Sequence, residues 1–171
     1  LQARLFPAAA ALIKRIGLNL FRKARTADLS RWLAELPEPL FREEPWLVFL
    51  RCLSRRFITV EENLAEFKRS VFLFGRQGDI SGLLLATAFL IEAETTWGKY
   101  SPELIREAEE HLKSIDPGLF LYERAVLWSQ IGLVNSVRGN SRRGYWACQK
   151  AYLLANQLGD PLLQAGALTH A

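Results

Sequence analysis

The sequence has no methionine, two cysteines and two histidines among its 171 residues. Cys52 and Cys148 are far apart and lie in apolar helical contexts, so we expect two reduced, buried thiols rather than a disulfide or a metal pair. His111 and His170 have no partner at the spacing of metal ligands. His111 also follows two glutamates on a polar helix face and is predicted to lie on the surface. These shortages argue against disulfide-stabilised and metal-dependent proteins.

Long apolar runs are also missing. The longest, residues 83–91, contains Thr87 and is too short to cross a bilayer. No signal peptide opens the chain, so we expect a cytoplasmic protein that does not associate with membranes. Because there is no initiator methionine and Leu1 lies inside a helical pattern, we interpret the sequence as part of a longer, multidomain protein.

Enzyme motifs are absent: the sequence has no P-loop, dinucleotide-binding, nucleophile-elbow or zinc-protease pattern. Residues 75–79 superficially resemble a phosphate loop, but they follow a helix and lack the lysine, so a helix–helix turn is predicted. The four aspartates all stand at or just before predicted helix starts, where capping explains them: Asp28, Asp79, Asp116 and Asp160. We therefore predict no enzyme activity, no catalytic residues, no metal ligands and no cofactor.

Charge is unevenly distributed. Residues 1–58 carry 11 Lys/Arg against 5 Asp/Glu, whereas residues 59–171 carry 11 against 13. A basic first third can face an acidic neighbouring domain or nucleic acid, or it can be a solvated surface. The arginine clusters lie near helix ends, where cations complement the helix dipole or the turn. No recognition helix is evident, so we do not expect this chain to bind DNA directly.

Helical periodicity runs through the whole chain, and no strand pattern interrupts it. A stripe of Val60, Leu64, Phe67, Val71 and Phe74 follows a predicted Thr59–Glu62 capping box. Another helix buries Ile105, Ala108, Leu112 and Ile115 after the start signal Ser101-Pro102-Glu103. The predicted helices are 8–22, 26–36 (capped by Thr26 or Asp28), 45–56, one from 59, 79–97, one from 102, 119–138 (opened by Asp116-Pro117), 141–158 and one from 161.

Residues 119–158 predict two helices joined by Gly139 and Asn140, which tolerate positive φ. Small and aromatic residues stand at the spacing of a tetratricopeptide-like hairpin: Trp128, Ile131, Gly132, Gly144, Cys148 and Ala151. The two glycines would let the helices approach where they cross. Such a hairpin cannot bury its apolar faces alone, so stacked neighbours are expected.

A divergent repeat extends this pattern, because predicted helices start at residues 45, 79, 119 and 161, separated by 34, 40 and 42. The fold class predicted is all-α: a right-handed superhelix, or α-solenoid, of antiparallel helix pairs. The alternative is a non-repeating helical bundle. One domain is predicted over 1–171, with leading helices in 1–44, pairs in 45–78, 79–118 and 119–160, and a truncated pair in 161–171.

Several segments together resemble a known family: LSRWLAELP at 29–37, then Pro45-Trp46-Leu47, Gly139-Asn140 and Gly159-Asp160-Pro161-Leu162. They are similar to the tetratricopeptide-like sensor region of MalT-like, LuxR-type transcriptional activators. The resemblance implies a non-catalytic domain that binds an inducer or partner and promotes oligomerisation, next to a nucleotide-binding domain and a DNA-binding domain. The alternative is a general protein-interaction scaffold unconnected to transcription.

First helices of the pairs are predicted to line a concave groove, on the side opposite Trp128 and Ile131. Stepping from Leu133 and Ser136 by about one repeat of 41 residues assigns to this groove Glu92, Thr95, Arg51 and Ser54. Ser129 is predicted to contact the groove as well. Its polar lining suits a small-molecule inducer or a peptide. The alternative is that these residues are merely solvated.

The last predicted helix carries more leucine than its neighbour can cover. Leu162, Leu163, Ala165 and Leu168 cannot all bury against residues 141–158, so we expect fraying or self-association at this end. A chain extended by about 25 residues, one helix and its turn, is expected to melt higher and associate less.

Overall fold

The computed structural model describes residues 2–56 and 60–169, and all regular secondary structure in these ranges is helical. The α-helices are α1 (Gln2–Arg22), α2 (Thr26–Ala34), α3 (Pro45–Arg55), α4 (Val60–Gln77), α5 (Ile80–Thr96), α6 (Pro102–Ser114), α7 (Leu121–Val137), α8 (Ser141–Leu158) and α9 (Pro161–Thr169). A short 3-10 helix spans Glu38–Phe41. The all-α class is confirmed, whereas the right-handed superhelix stays a prediction. Within the described ranges, every helix is too short or too polar to cross a membrane.

The chain divides into two compact units, Leu1–Gly82 and Leu83–Ala171, with the boundary inside α5. In the first unit, α1 packs against α2 and α3, α2 packs against α3, and α3 packs against α4. In the second, α7 packs against α6, α8 and α9, and α8 packs against α9. The single repeat domain over the whole chain stays a prediction.

Aromatic rings fill the core between α3 and α4. Phe49 meets Phe67 and Phe74 edge to face, with ring centroids 6.2 and 6.1 Å apart. Trp46 meets Phe74 in the same way at 5.1 Å. Edge-to-face contacts place the positive ring edge on a negative face, so they add to the burial of apolar area. These pairs join the start of α3 to the end of α4, which makes the two helices an antiparallel pair.

Asp79 links α3 to the start of α5. Its Oδ1 accepts a hydrogen bond from the Gly82 backbone N–H at 2.9 Å, the N-cap interaction predicted for this residue. Its Oδ2 accepts a hydrogen bond from the Trp46 indole N–H at 2.7 Å. One carboxylate thus satisfies a free N–H of α5 and holds the indole that packs on Phe74.

The α7–α8 pair crosses at two glycines, as predicted. A Cβ on Gly132 would overlap the Cys148 side chain and lie 3.2 Å from the Cys148 backbone nitrogen. A Cβ on Gly144 would lie 3.1 Å from the Gly132 carbonyl oxygen. Trp128 and Ile131 are buried beside this crossing. Only glycine allows backbones to approach so closely, so the crossing depends on both residues.

Capping differs from the prediction at two aspartates. Asp160 caps α9 by accepting from the Leu162 and Leu163 N–H groups at 3.1 and 3.2 Å, as predicted. Asp28 is not a cap: it lies inside α2 and pairs with arginines on either side. Asp116 accepts from the Gly118 N–H at 2.7 Å in a turn that precedes α7. Arg25, and not the predicted Thr26, occupies the N-cap position of α2. Neither Arg25 nor Ser101, the N-cap of α6, makes a side-chain cap hydrogen bond.

Helix ends move by a few residues for local reasons. The helix predicted at 8–22 begins at Gln2 and includes Pro7. α2 ends at Ala34, and Pro37 precedes the 3-10 helix. α7 starts at Leu121 because the preceding residue, Phe120, adopts φ +53°. This left-handed backbone conformation is incompatible with a right-handed α-helix. Ile115 lies beyond the end of α6 and is half-buried. Thr59, from the predicted capping box, lies outside the described residues.

Candidate functional site

Two predicted groove residues, Arg51 and Ser54, lie on α3 in the first unit. Arg51 donates to Glu38 Oε2 at 2.8 Å and to Glu66 Oε2 at 3.0 Å. Its guanidinium carbon lies 4.0 Å from the Phe41 ring centroid. Burial opposes the positive charge, but hydrogen bonds to the two carboxylates outweigh it and raise the pKa of Arg51. The Ser54 hydroxyl donates to the Arg51 carbonyl oxygen at 2.9 Å. Both side chains are therefore engaged within their own unit.

The other five predicted groove residues lie on α5 and α7 in the second unit: Glu92, Thr95, Ser129, Leu133 and Ser136. The Thr95 hydroxyl donates to the Ile91 carbonyl oxygen at 2.7 Å, within its own helix. Ser129 is buried. Ser136 lies against Gly144 and so faces α8, which corrects the prediction that it turns away from the hairpin core. The groove itself stays a prediction.

A pocket of about 640 Å³ opens where the chain turns from α7 into α8. It is lined by Gly139, Asn140, Ser141, Arg142, Arg143 and Trp146. Gly139 has φ +80°, which ends α7 and reverses the chain at this corner. The volume falls in the range of about 300–1,000 Å³ that is usual for ligand sites. None of the seven predicted groove residues lines it, so we name this corner the hairpin pocket.

The two arginines of the hairpin pocket have different surroundings. Arg143 Nη2 lies 2.7 Å from both carboxylate oxygens of Glu109 on α6. This hydrogen bonding raises the pKa of Arg143. Arg142 is exposed and, within the described ranges, makes no hydrogen bond or ion pair. Arg143 is therefore neutralised in place, and Arg142 is the pocket's available cation.

Trp146 is held on one side and open on the other. Its ring meets Trp128 edge to face at a centroid distance of 5.3 Å. Lys150 Nζ lies 3.9 Å from the Trp146 ring and 4.6 Å from the Trp128 ring, within cation–π distance of both. Burial and the neighbouring Arg124 lower the pKa of Lys150. Trp146 nevertheless remains 48% exposed, so a fixed indole stands at the pocket rim.

Elsewhere in the described ranges, buried polar atoms form no recognisable chemical centre. Three of them have no hydrogen-bond partner in the described part of the chain: His111 Nδ1, Arg124 Nε and Gln130 Oε1. His111 is half-buried, which corrects its predicted surface position. The thiols of Cys52 and Cys148 are both buried and free, as predicted. Across residues 2–56 and 60–169, no group of three His, Cys, Asp or Glu side chains could hold a metal ion.

Sequence reasoning placed the Gly139–Asn140 turn correctly but did not recognise a pocket there. The available signal was Arg142 and Trp146, one helical turn apart directly after that turn. The helix dipole does not account for Arg142, because this residue lies at the N-terminal end of α8, where the dipole disfavours a cation.

Comparison with known proteins identified no relative: no protein-family model, no curated protein and no solved structure matches the chain.

Proposed function

We propose that this chain is a non-catalytic binding domain that senses an inducer or protein partner for a MalT-like, LuxR-type transcriptional activator. The family part of this proposal rests on the segments that resemble such activators, beginning with LSRWLAELP at 29–37. The binding part rests on the hairpin pocket. Its partner would bind outside the helix cores and promote oligomerisation of the parent protein.

The observation that carries the binding role is an open pocket on a rigid support. Trp146 and Arg142 stand on α8, which Gly132 and Gly144 hold tightly against α7. Sites on packed helices position their side chains more accurately than sites on loops. A planar apolar ring and an available guanidinium can bind a partner without any bond being made or broken.

A general interaction scaffold is the second candidate. Antiparallel helix pairs also serve as docking surfaces in proteins that have no link to transcription. The hairpin pocket would serve either role, so the pocket does not discriminate between the two.

The parent gene distinguishes these candidates. We expect its reading frame to encode a P-loop nucleotide-binding domain before this segment and a helix-turn-helix domain after it. A frame that encodes neither would overturn the regulator and favour the scaffold. Deleting the segment from the parent protein should then abolish inducer-dependent transcription in a reporter strain, and unchanged induction would contradict a sensing role.

A further inference from the structure

We propose that the outer face of α8, together with the hairpin pocket, docks an acidic peptide segment that carries an apolar anchor side chain. This inference rests on the proposed binding role and names the partner's chemistry. The docking surface is defined by Arg142, Tyr145, Trp146, Lys150 and Leu153, all of which lie on α8.

The hairpin that carries the surface is basic, although Glu109 of the neighbouring α6 pairs with its Arg143. Between Glu123 and Asp160 the sequence contains five Lys or Arg residues and no Asp or Glu: Arg124, Arg138, Arg142, Arg143 and Lys150. The helical hairpin α7–α8 therefore presents cations without an acidic residue of its own, apart from Glu123 in the first turn of α7. Charge complementarity selects acidic partners and speeds their association.

Apolar side chains continue along the same helix. Tyr145, Trp146 and Leu153 are 52%, 48% and 65% exposed. Arg142, Trp146, Lys150 and Leu153 follow one another at intervals of four, four and three residues, which places them on one face of α8. Tryptophan, tyrosine and arginine are the residues that most often dominate binding energy at protein interfaces. A partner therefore needs an apolar side chain as well as negative charge.

The arrangement favours a peptide over a nucleic acid. Arg143 is paired with Glu109, and the Arg138 guanidinium lies 4.1 Å from the Tyr100 ring centroid. Lys150 lies against two indoles. Among the contacts of residues 2–56 and 60–169, this leaves Arg142 as the surface's unengaged cation. Nucleic-acid binding requires several cations that follow a phosphate backbone, whereas a peptide can bind with one carboxylate near Arg142 and one anchor beside Trp146.

Fluorescence anisotropy of the chain with a labelled synthetic peptide tests the proposal. The probe is a short fluorescein-labelled peptide with glutamate and leucine at helical spacing, and the reference probe replaces every glutamate with glutamine. We expect saturable binding of the acidic probe and at least about tenfold weaker binding of the reference probe, a difference of about 1.4 kcal/mol. Equal affinity for both probes, or no binding of either, would overturn the proposal.

Two variants with the same charge change locate the site. Arg142→Glu should weaken acidic-probe binding at least about tenfold. Arg106→Glu is the matched control, because Arg106 is exposed on α6, makes no hydrogen bond or ion pair within the described ranges and does not line the pocket. It should leave binding within about twofold. Equal losses in the two variants would overturn the site assignment. Trp146→Phe, which keeps a ring against Trp128, should weaken the acidic and glutamine probes alike.

Other occupants give different results. Stronger binding of a labelled single-stranded oligonucleotide than of the acidic peptide would assign the surface to nucleic acid and overturn the peptide. A dimer mass by light scattering that Arg142→Glu and Leu153→Glu both abolish would assign it to a second copy. The parent-gene test is independent of all these measurements. It can therefore overturn the regulator proposal without affecting the peptide proposal, and the binding measurements can do the reverse.

Discussion

Arg51 shows how one residue's role changes once its neighbours are known. The repeat step predicts a groove residue that contacts a ligand or is merely solvated. In the structure its side chain is 17% exposed and contacts Glu38, Glu66 and Phe41. These partners lie on the 3-10 helix and on α4, whereas Arg51 lies on α3, so spacing along a single helix could not reveal them.

Replacing Arg51 should therefore lower stability. Arg51→Met keeps the aliphatic stem but removes the positive charge that contacts two carboxylates and the Phe41 ring. We expect a loss of about 1–2 kcal/mol in the free energy of unfolding. Arg51→Glu should cost more, because it places three carboxylates together. Urea denaturation measures both effects, with the exposed Arg106→Met as the control. Unfolding curves that superimpose on the wild type would show that these contacts contribute nothing.

Cys52 should make the fold sensitive to alkaline pH. Burial raises the pKa of its thiol from 9.0 to about 12. Between these values the unfolded chain loses the proton while the folded chain keeps it, so the unfolded state binds fewer protons and stability falls as pH rises. From pH 8 to pH 10.5 this group contributes a loss of about 2 kcal/mol, at about 1.36 kcal/mol per pH unit above its unfolded pKa.

Comparison with Cys52→Ala isolates this effect from the other groups that titrate in the same range. The alanine variant pays a cavity cost that does not depend on pH. Its stability deficit, measured by urea unfolding, should therefore shrink as the pH rises from 8 to 10.5. A constant deficit would mean that the thiol does not keep its proton in the folded chain.

At the scale of elements, the α7–α8 crossing depends on the absence of two side chains. Gly132→Ala would place a methyl group against the Cys148 side chain and backbone. We expect a loss of about 1–3 kcal/mol, the usual cost of overpacking.

The same substitution at Gly75, inside α4, is the control, because a Cβ there meets no atom within 4 Å. Gly75→Ala should therefore gain about 0.5–1 kcal/mol from helix propensity alone. In thermal unfolding, we expect the melting temperature to fall for Gly132→Ala and to rise for Gly75→Ala. A Gly132→Ala variant that melts above the wild type would show that the helices can separate at little cost.

Helices were predictable because their signals are local. Periodic apolar residues, Gly139 at the turn and Asp160 at a cap lie within a few residues of the structure they specify, and α8 has the predicted bounds. The start of α7 was missed because it depends on the left-handed backbone of Phe120, a residue type that rarely adopts it. The bond from Trp46 to Asp79 was missed because it spans 33 residues.

The hairpin pocket was harder to predict than the helices around it. Its outline requires Glu109 of α6 to hold Arg143 and Trp128 of α7 to hold Trp146, and neither partner is a sequence neighbour. Sequence periodicity can show which face of a helix is apolar, but it does not show which apolar side chain remains exposed to solvent. Trp146 and Leu162 are examples, at 48% and 73% exposed.

At the scale of the molecule, the division into two compact units places one buried cysteine in each. Cys52 lies on α3 in the first unit and Cys148 on α8 in the second. Because a buried thiol reacts only after local or global opening, its alkylation rate reports the opening of its own unit. We expect Cys52 and Cys148 to react at different rates in dilute urea. Each rate should rise with urea less steeply than complete unfolding would require, because each opening exposes only part of the surface.

Iodoacetamide labelling followed by peptide mass spectrometry measures both rates in one sample. Single-cysteine variants, Cys52→Ala and Cys148→Ala, control for any influence of one alkylated thiol on the other. Opening of one unit should leave the labelling of the other unchanged, since its core stays closed. If both cysteines instead react at the same rate with the same urea dependence, equal to that of global unfolding, the chain unfolds as one cooperative body.

Independent opening would also allow a partner bound at the hairpin pocket to protect Cys148 while leaving Cys52 unaffected. Addition of the acidic peptide should then slow labelling at Cys148 alone.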